Sequence, residues 1–465
     1  MMGKYENMNT TIKRRNENSV NKRLRSTKKK RQHKGGSVIA AGSFGCVFRP
    51  SLRCKGENEN SVSSYHLVSK LGKKPVIEAE YMMMMKLKNI MKTIPDYDKY
   101  FGLDVTKPCD PSPLSKEDLV NFDKKCKLKE MNEGNVNNSD VISTLSFIDL
   151  PYGGISLLTW IWDGNLKKPS SFRDFIHKSS TLIRHGIVPM NKKGVLHNDI
   201  HARNILTKLV NEETDDISHL SLIDWGLATT NTSTSMKKIT VQRDYPITRI
   251  FFVIKIKQPF TRFVQMNIRH NDIKEYSYST ASPSMKREMY SLLLKLSFEL
   301  ILLSQKDERE NIVHSCRQCD NIFKNILKRN KLYKETYMPF LEKYIVNNKN
   351  ATQDGSIMYD IGITFTTFLN TMYLADMMFK YIEIKDSVLF LNFRKYFIDI
   401  YRHNADVYAM CNCILLGASK RFDQDSDIVN IERYAALAEL LLNEVFLKST
   451  EIIDYKKLCD SLDTM

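Results

Sequence analysis

The spacing of apolar positions changes along the chain, and the change divides it. From Ser37 to Val47, apolar and β-branched residues flank a glycine turn, which predicts a strand, a tight turn and a second strand. Tyr65 to Leu71 predicts a further short strand. Glu78 to Lys92 switches to helical spacing, with the methionine run Met82 to Met85 followed by Leu87 and Met91. Residues 95–140 collect Pro, Asp, Asn and Cys in loop-like clusters and read as an insertion. Val141 to Leu150 predicts a buried strand, broken by Pro151-Tyr152-Gly153-Gly154.

Beyond that break the pattern is mostly helical. Ser171 to Gly186 carries apolar residues at helical spacing, and long amphipathic helices are predicted over Met285 to Leu303 and Ile431 to Leu447. Two short strands, Asn204 to Leu209 and Leu220 to Ile223, bracket a polar turn. No internal repeat is present. A β-rich first third followed by a helical remainder predicts an α+β fold with two lobes.

Composition narrows the class. The 465 residues suffice for one large core or two lobes with a cleft between them. The hydrophobic share of 42% and aromatic share of 10% are those of a soluble globular protein. The net charge of +17 is concentrated in residues 1–35, which end in Lys28-Lys29-Lys30-Arg31. Such a segment cannot bury enough apolar surface to fold alone. It reads as a solvated charged tail, as a patch for nucleic acid, acidic lipid or another acidic partner, or as a nuclear signal. The longest uncharged stretch, Ile361 to Ala375, falls short of the roughly 20 apolar residues of a membrane span, so no transmembrane segment is expected. The polar, basic start lacks a signal-peptide core, so secretion is not expected. Nine cysteines without a repeating spacing suggest thiols in a reducing compartment.

Four motifs carry candidate chemistry, and their order matters more than any one of them. In Ile39-Ala40-Ala41-Gly42-Ser43-Phe44-Gly45-Cys46-Val47, a glycine turn lets backbone N–H groups approach phosphate oxygens with no Cβ in the way, although a tight hairpin needs the same glycines. Lys70, on the next strand, can neutralise phosphates if a helix carboxylate fixes its ammonium. Glu80 is chosen over Glu78 because Met83, Met84 and Leu87 then follow at plus three, four and seven. In Val195-Leu196-His197-Asn198-Asp199-Ile200-His201-Ala202-Arg203-Asn204, an Asp precedes an Asn by five residues. Asp199 can accept or orient a hydroxyl proton while the Asn204 carbonyl binds a metal. Leu222-Ile223-Asp224-Trp225-Gly226 ends an apolar strand in an Asp placed to hold Mg²⁺.

Together these residues resemble the protein kinase superfamily over Ile39–Val47, Lys70, Glu80, His197–Asn204 and Asp224–Gly226, in family order. The resemblance implies a bilobal kinase-like fold: a small β-rich N-lobe over 36–149, with its insertion near 95–140, and a mainly helical C-lobe over 150–465. It implies ATP and Mg²⁺ as cofactors, Asp199 as catalytic base and Lys70 as the phosphate-anchoring lysine with Glu80 as its partner. Asn204 and Asp224 become magnesium ligands. Ile39, Ala40, Gly42, Ser43, Phe44, Gly45 and Val47 become the nucleotide loop, and Leu150 to Leu157 the adenine hinge. Proteins with serine or threonine hydroxyls are the implied substrates.

Departures from the family pattern carry information. Ala40 replaces the first loop glycine. Asn198 stands where most regulated kinases have Arg, which implies activity without activation-loop phosphorylation. His201 stands where serine/threonine kinases place Lys. Arg203 can supply that charge as in tyrosine kinases, and His201 is similar to small-molecule phosphotransferases of the same fold. A pseudokinase scaffold using the basic tail is a further alternative. Val241 to Thr248 replaces the usual Ala-Pro-Glu closure. Ala405-Asp406-Val407-Tyr408-Ala409-Met410 resembles the start of the central C-lobe helix, whose Asp braces the catalytic loop. Residues near 250–400 then form a helical insertion. The glycine-loop phrase, the Asp-Tyr-Pro segment and this insertion resemble serine/threonine kinases of large nucleocytoplasmic DNA viruses, which implies host-cell cytoplasm, virion or nucleus. His314, Cys316 and Cys319 supply one Cys-x-x-Cys, short of a four-ligand zinc site. Packed or free thiols account for these and for Cys411 and Cys413.

Overall fold

The computed structural model describes residues 37–42, 45–57, 64–126, 128, 131–167, 169–210, 216–230, 245, 275–305, 317–348, 364–386, 388–422 and 428–465. The chain divides into two compact units, residues 1–81 with 106–152 and residues 82–105 with 153–465. The basic tail of residues 1–35 lies outside the described residues, as do Ser43, Phe44, His314 and Cys316.

In the first unit, β1 (Ser37–Gly42), β2 (Gly45–Arg49), β3 (Leu67–Lys73) and β4 (Leu145–Pro151) pair in sequence order as one antiparallel sheet. Gly42 pairs with Gly45 across the hairpin. Gly45 has to lack a side chain, because a Cβ there would stand 2.6 Å from the Leu71 carbonyl oxygen. Val38, Phe48, Leu71 and Phe147 turn one sheet face into a core, which Leu114, Phe122 and Val136 complete. The loop-rich stretch expected as an insertion therefore supplies Leu114, Phe122, Cys126 and Val136 to this core rather than lying apart.

Two disulfides, Cys46–Cys126 and Cys54–Cys109, fasten that stretch to the sheet and to the chain after β2, with Cα separations of 5.3 and 5.7 Å. This corrects the expectation of thiols. The partners lie 80 and 55 residues apart, and only tertiary packing brings them together, so no spacing rule could pair them. The cysteine count thus gives no argument for a reducing compartment. A second correction concerns the strand expected from Val141. Ser139–Ile142 forms a helical turn with Asp140 in its first turn, and the strand starts only at Leu145.

Helix α1 (Lys74–Met91) follows β3 directly, begins in the first unit and ends in the second. Its buried positions Ile77, Glu80, Met84, Leu87 and Met91 recur at three and four residues, so one face is buried. Met82 stays exposed, and Met84 fills the core as a flexible side chain does.

In the second unit, β5 (Ile155–Ser156), β7 (Ile205–Leu209) and β8 (Ile217–Leu222) form a small antiparallel sheet. The strands β6 (Val195–Leu196) and β9 (Thr229–Thr230) form a separate antiparallel pair. Gly154, at φ +104°, lies so close to the Thr207 carbonyl that any Cβ would overlap it. Helices α2 (Leu157–Trp162) and α3 (Pro169–Thr181) follow β5, and Ser156 caps α2 by accepting from the Thr159 amide at 3.1 Å. The helices α4 (Pro283–Gln305), α5 (Arg317–Arg329), α6 (Met338–Asn348) and α7 (Phe365–Tyr381) come next in the chain. A three-stranded sheet of β10 (Tyr276–Ser277), β11 (Ile382–Lys385) and β12 (Val388–Leu391) accompanies them. Helix α8 (Arg402–Phe422) is buried from Ala405 through Cys411, apolar residues surrounding a single carboxylate, Asp406. Helices α9 (Ile428–Leu441) and α10 (Tyr455–Asp463) end the chain.

The fold is α+β, mixed helix and strand with small antiparallel sheets. Among the described residues, no helix is long and apolar enough to cross a membrane. Replacing Cys46 and Cys126 together by alanine should lower stability by about 2–5 kcal/mol, read as an earlier thermal transition. A variant melting with wild type would show that this disulfide does not stabilise the unit.

Candidate active site

The first unit contributes a buried ion pair. Lys70 sits mid-strand in β3, between Val47 of β2 and Ile148 of β4. Its Nζ donates to Glu80 Oε1 at 2.6 Å, and both side chains are about nine-tenths buried, at 10% and 7% exposure. Glu78 lies exposed on the other side of α1. Desolvating an ammonium and a carboxylate costs several kcal/mol per ion, so neither would be tolerated here alone. Ile39, Ala40 and Gly42 lie on β1, and Gly45 and Val47 on β2. Among the described residues, chain neighbours aside, nothing lies within 4 Å of the position a Cβ would take at Gly42.

The second unit builds its site on residues 197–204, the loop between β6 and β7. Asp406 enters from α8, over 200 positions downstream, and accepts from the backbone amides of His197 at 2.9 Å and Asn198 at 3.2 Å. It also accepts from Asn191 Nδ2 at 2.8 Å. Three donors on one buried carboxylate satisfy its charge with hydrogen bonds rather than a cation. His197 is fully buried. Its Nε2 faces the Ile223 carbonyl at 3.0 Å, and its Nδ1 accepts from the Asp199 amide at 3.3 Å. Burial pushes its pKa below the usual histidine value, so a neutral ring protonated on Nε2 fits both partners. The histidine thereby ties the loop carrying Asp199 to the strand end that precedes Asp224.

Asp199 and Asn204 meet side chain to side chain. Asn204 Nδ2 donates to Asp199 Oδ2 and to the Asp199 carbonyl, both at 3.0 Å. Burial raises the Asp199 pKa, His201 and His197 oppose that rise, and the nearby charge of Asp224 adds to it. His201 Nε2 stands 3.7 Å from Asp199 Oδ1, while its Nδ1 accepts from the Arg203 amide. The Arg203 side chain is exposed. Asp224 adopts φ 65°, a left-handed conformation uncommon for a residue with a Cβ, at the start of the turn Trp225–Leu227. Trp225 is fully buried against His197 and Phe101, with centroid separations of 4.6 and 5.9 Å, and so anchors the residue next to Asp224.

These residues fit a magnesium ion. Asn204 spends its NH₂ on Asp199, which leaves the amide oxygen as the donor group of that side chain, a hard ligand like the Asp224 carboxylate. The mutual repulsion of Asp199 and Asp224 is the field that a divalent cation relieves. Among the described residues no three His, Cys, Asp or Glu side chains converge as an all-protein metal site. Magnesium bound through one or two protein oxygens and substrate phosphates needs no such cluster.

Within the first unit, then, Lys70 and Glu80 are paired; within the second, Asp199, Asn204 and Asp224 are neighbours. Two structural supports lacked a sequence signal of their own, Asn191 on Asp406 and Tyr401, whose hydroxyl donates to Asn198 Oδ1 at 3.3 Å. Neither a protein-family model nor a curated protein matches the chain.

Replacing Lys70 by Met strands Glu80 in a buried site and should cost about 3–5 kcal/mol, whereas replacing Glu80 by Leu as well should recover most of it. Thermal unfolding of the single and double variants reads this directly. Equal transitions for wild type and Lys70→Met would contradict the pair's buried character.

Proposed function

We propose that this chain is an ATP- and magnesium-dependent protein kinase, of bilobal kinase fold, that transfers the γ-phosphoryl group of ATP to serine or threonine hydroxyls of proteins. The observation that carries the reading is the loop of residues 197–204, where Asp199 and Asn204 are bonded to each other and Asp406 holds the loop's amides. A buried carboxylate spent on two backbone amides is an expensive way to fix a loop, and the expense is intelligible if the loop positions reacting atoms.

In this reading Asp199 orients the acceptor hydroxyl and takes its proton, with Asn204 fixing the carboxylate's rotamer. Lys70, aimed by Glu80, balances phosphate charge. Asn204 and Asp224 would hold magnesium, which when bound would neutralise charge on the phosphate oxygens. The backbone of the Gly42–Gly45 hairpin covers the phosphates. Positioning and charge stabilisation supply most of the acceleration in such a transfer. A small-molecule phosphotransferase of the same fold is the second reading, favoured by the His201 imidazole beside Asp199. The basic tail would serve an acidic or nucleic-acid partner.

The test is turnover with magnesium-ATP, using basic proteins, sugars and aminoglycosides as acceptors, followed by phosphoamino-acid analysis. Asp199→Asn should lower turnover by about 10²–10⁴-fold while ATP affinity stays close to wild type. Turnover equal to wild type would remove Asp199 from its role. Transfer confined to sugars or aminoglycosides would select the second reading.

A further inference from the structure

Asn198 is fully buried, sits at φ 61°, and uses both ends of its carboxamide. Its Nδ2 donates to Thr229 Oγ1 at 2.9 Å and to the Leu227 carbonyl at 3.2 Å. Its Oδ1 accepts from Tyr401 at 3.3 Å, and its backbone N–H goes to Asp406. Leu227 and Thr229 are the third and fifth residues after Asp224, and Thr229–Thr230 pairs with Val195–Leu196 immediately before the 197–204 loop. One side chain thus joins the loop bearing Asp199 to the stretch that follows Asp224.

Its support is equally specific. Tyr401 is buried, stacked on Phe397 at 5.0 Å, and meets Tyr245 edge-on at 5.1 Å. Tyr245, Tyr373 and Tyr396 are buried with their hydroxyls bonded to one another. Burial raises all three phenols above their usual pKa, so the cluster stays uncharged. Nδ2 also reaches the Leu196 carbonyl at 3.5 Å, so these side-chain bonds of Asn198 run to two hydroxyls and two carbonyls, neutral groups that need no anion to complete them. Asn is also among the residues that tolerate a left-handed backbone, because its short polar side chain bonds locally.

We propose that Asn198 is a positioning residue, a neutral latch that locks the Leu227–Thr229 stretch to the catalytic loop, with Tyr401 holding the latch closed. The spacing of Asp199 and Asp224 is then set by fixed hydrogen bonds within the fold, and the site is constitutively assembled without a phosphate added to the chain. This regulation of the site rests on the kinase reading, but the latch itself does not.

The experiment compares wild type, Asn198→Ala and Tyr401→Phe by hydrogen exchange over residues 225–230, alongside kcat and KM for ATP. Asn198→Ala should exchange about tenfold faster there, the scale of one or two net hydrogen bonds lost. Its kcat should fall by about tenfold or more while KM for ATP stays within about twofold, since the loss is one of alignment rather than of binding. Tyr401→Phe, which keeps the ring and deletes one hydroxyl, should shift both readouts in the same direction by less, and it stands in if Asn198→Ala fails to fold. Phosphatase-treated wild type should keep its kcat. Unchanged exchange in both variants, or a kcat lost on phosphatase treatment, would overturn the proposal. Faster exchange in the variants of a chain that transfers no phosphate would leave the latch standing and remove the kinase reading.

Discussion

A carboxylate removed from water has to find full hydrogen bonding or a counter-charge, and Asp406 finds it in two consecutive backbone amides and an Asn side chain. That requirement fixes more than one residue. Because the amides belong to His197 and Asn198, the loop between β6 and β7 cannot move without leaving a buried charge unpaired. His197 then carries the constraint to Ile223, and Asn198 carries it to Leu227 and Thr229. The segments on either side of Asp224 are both referenced to one carboxylate on α8.

What this frame holds is charge of one sign. Asp199 and Asp224 repel each other, and burial adds to the cost of ionising Asp199. A fold gains no stability from such an arrangement. A carboxylate perturbed by burial and by a second carboxylate nearby, on a braced loop, marks a candidate functional site. Lys70 and Glu80 show the opposite economy, a buried pair that neutralises itself and leaves the ammonium fixed in direction.

Much of this was legible in the chain. The α+β class, the strand around Lys70 and the helical face of α1 follow from apolar periodicity, which reports burial directly. The helix predicted from Glu78 begins at Lys74, since boundaries depend on caps and packing more than on period. Asp199, Asn204 and Asp224 stand out as polar residues at fixed offsets in loops that adjoin short apolar strands. The disulfides, the packing of residues 106–140 into the first core, and the Tyr401 and Asn191 supports were not legible. Each depends on partners far apart in sequence, whose meeting is a property of the folded chain alone. The helical turn at Ser139–Ile142 was misread because Val141 and Ile142 suit a strand when taken without Ser139 and Asp140 before them.

The most direct measurement of the central claim is calorimetric titration of ATP into wild type and Asp224→Asn, each with magnesium and with a chelator. Magnesium should tighten ATP binding to wild type, and Asp224→Asn should lose this difference. A wild type that binds no ATP, or a variant that keeps the full magnesium effect, would contradict the claim.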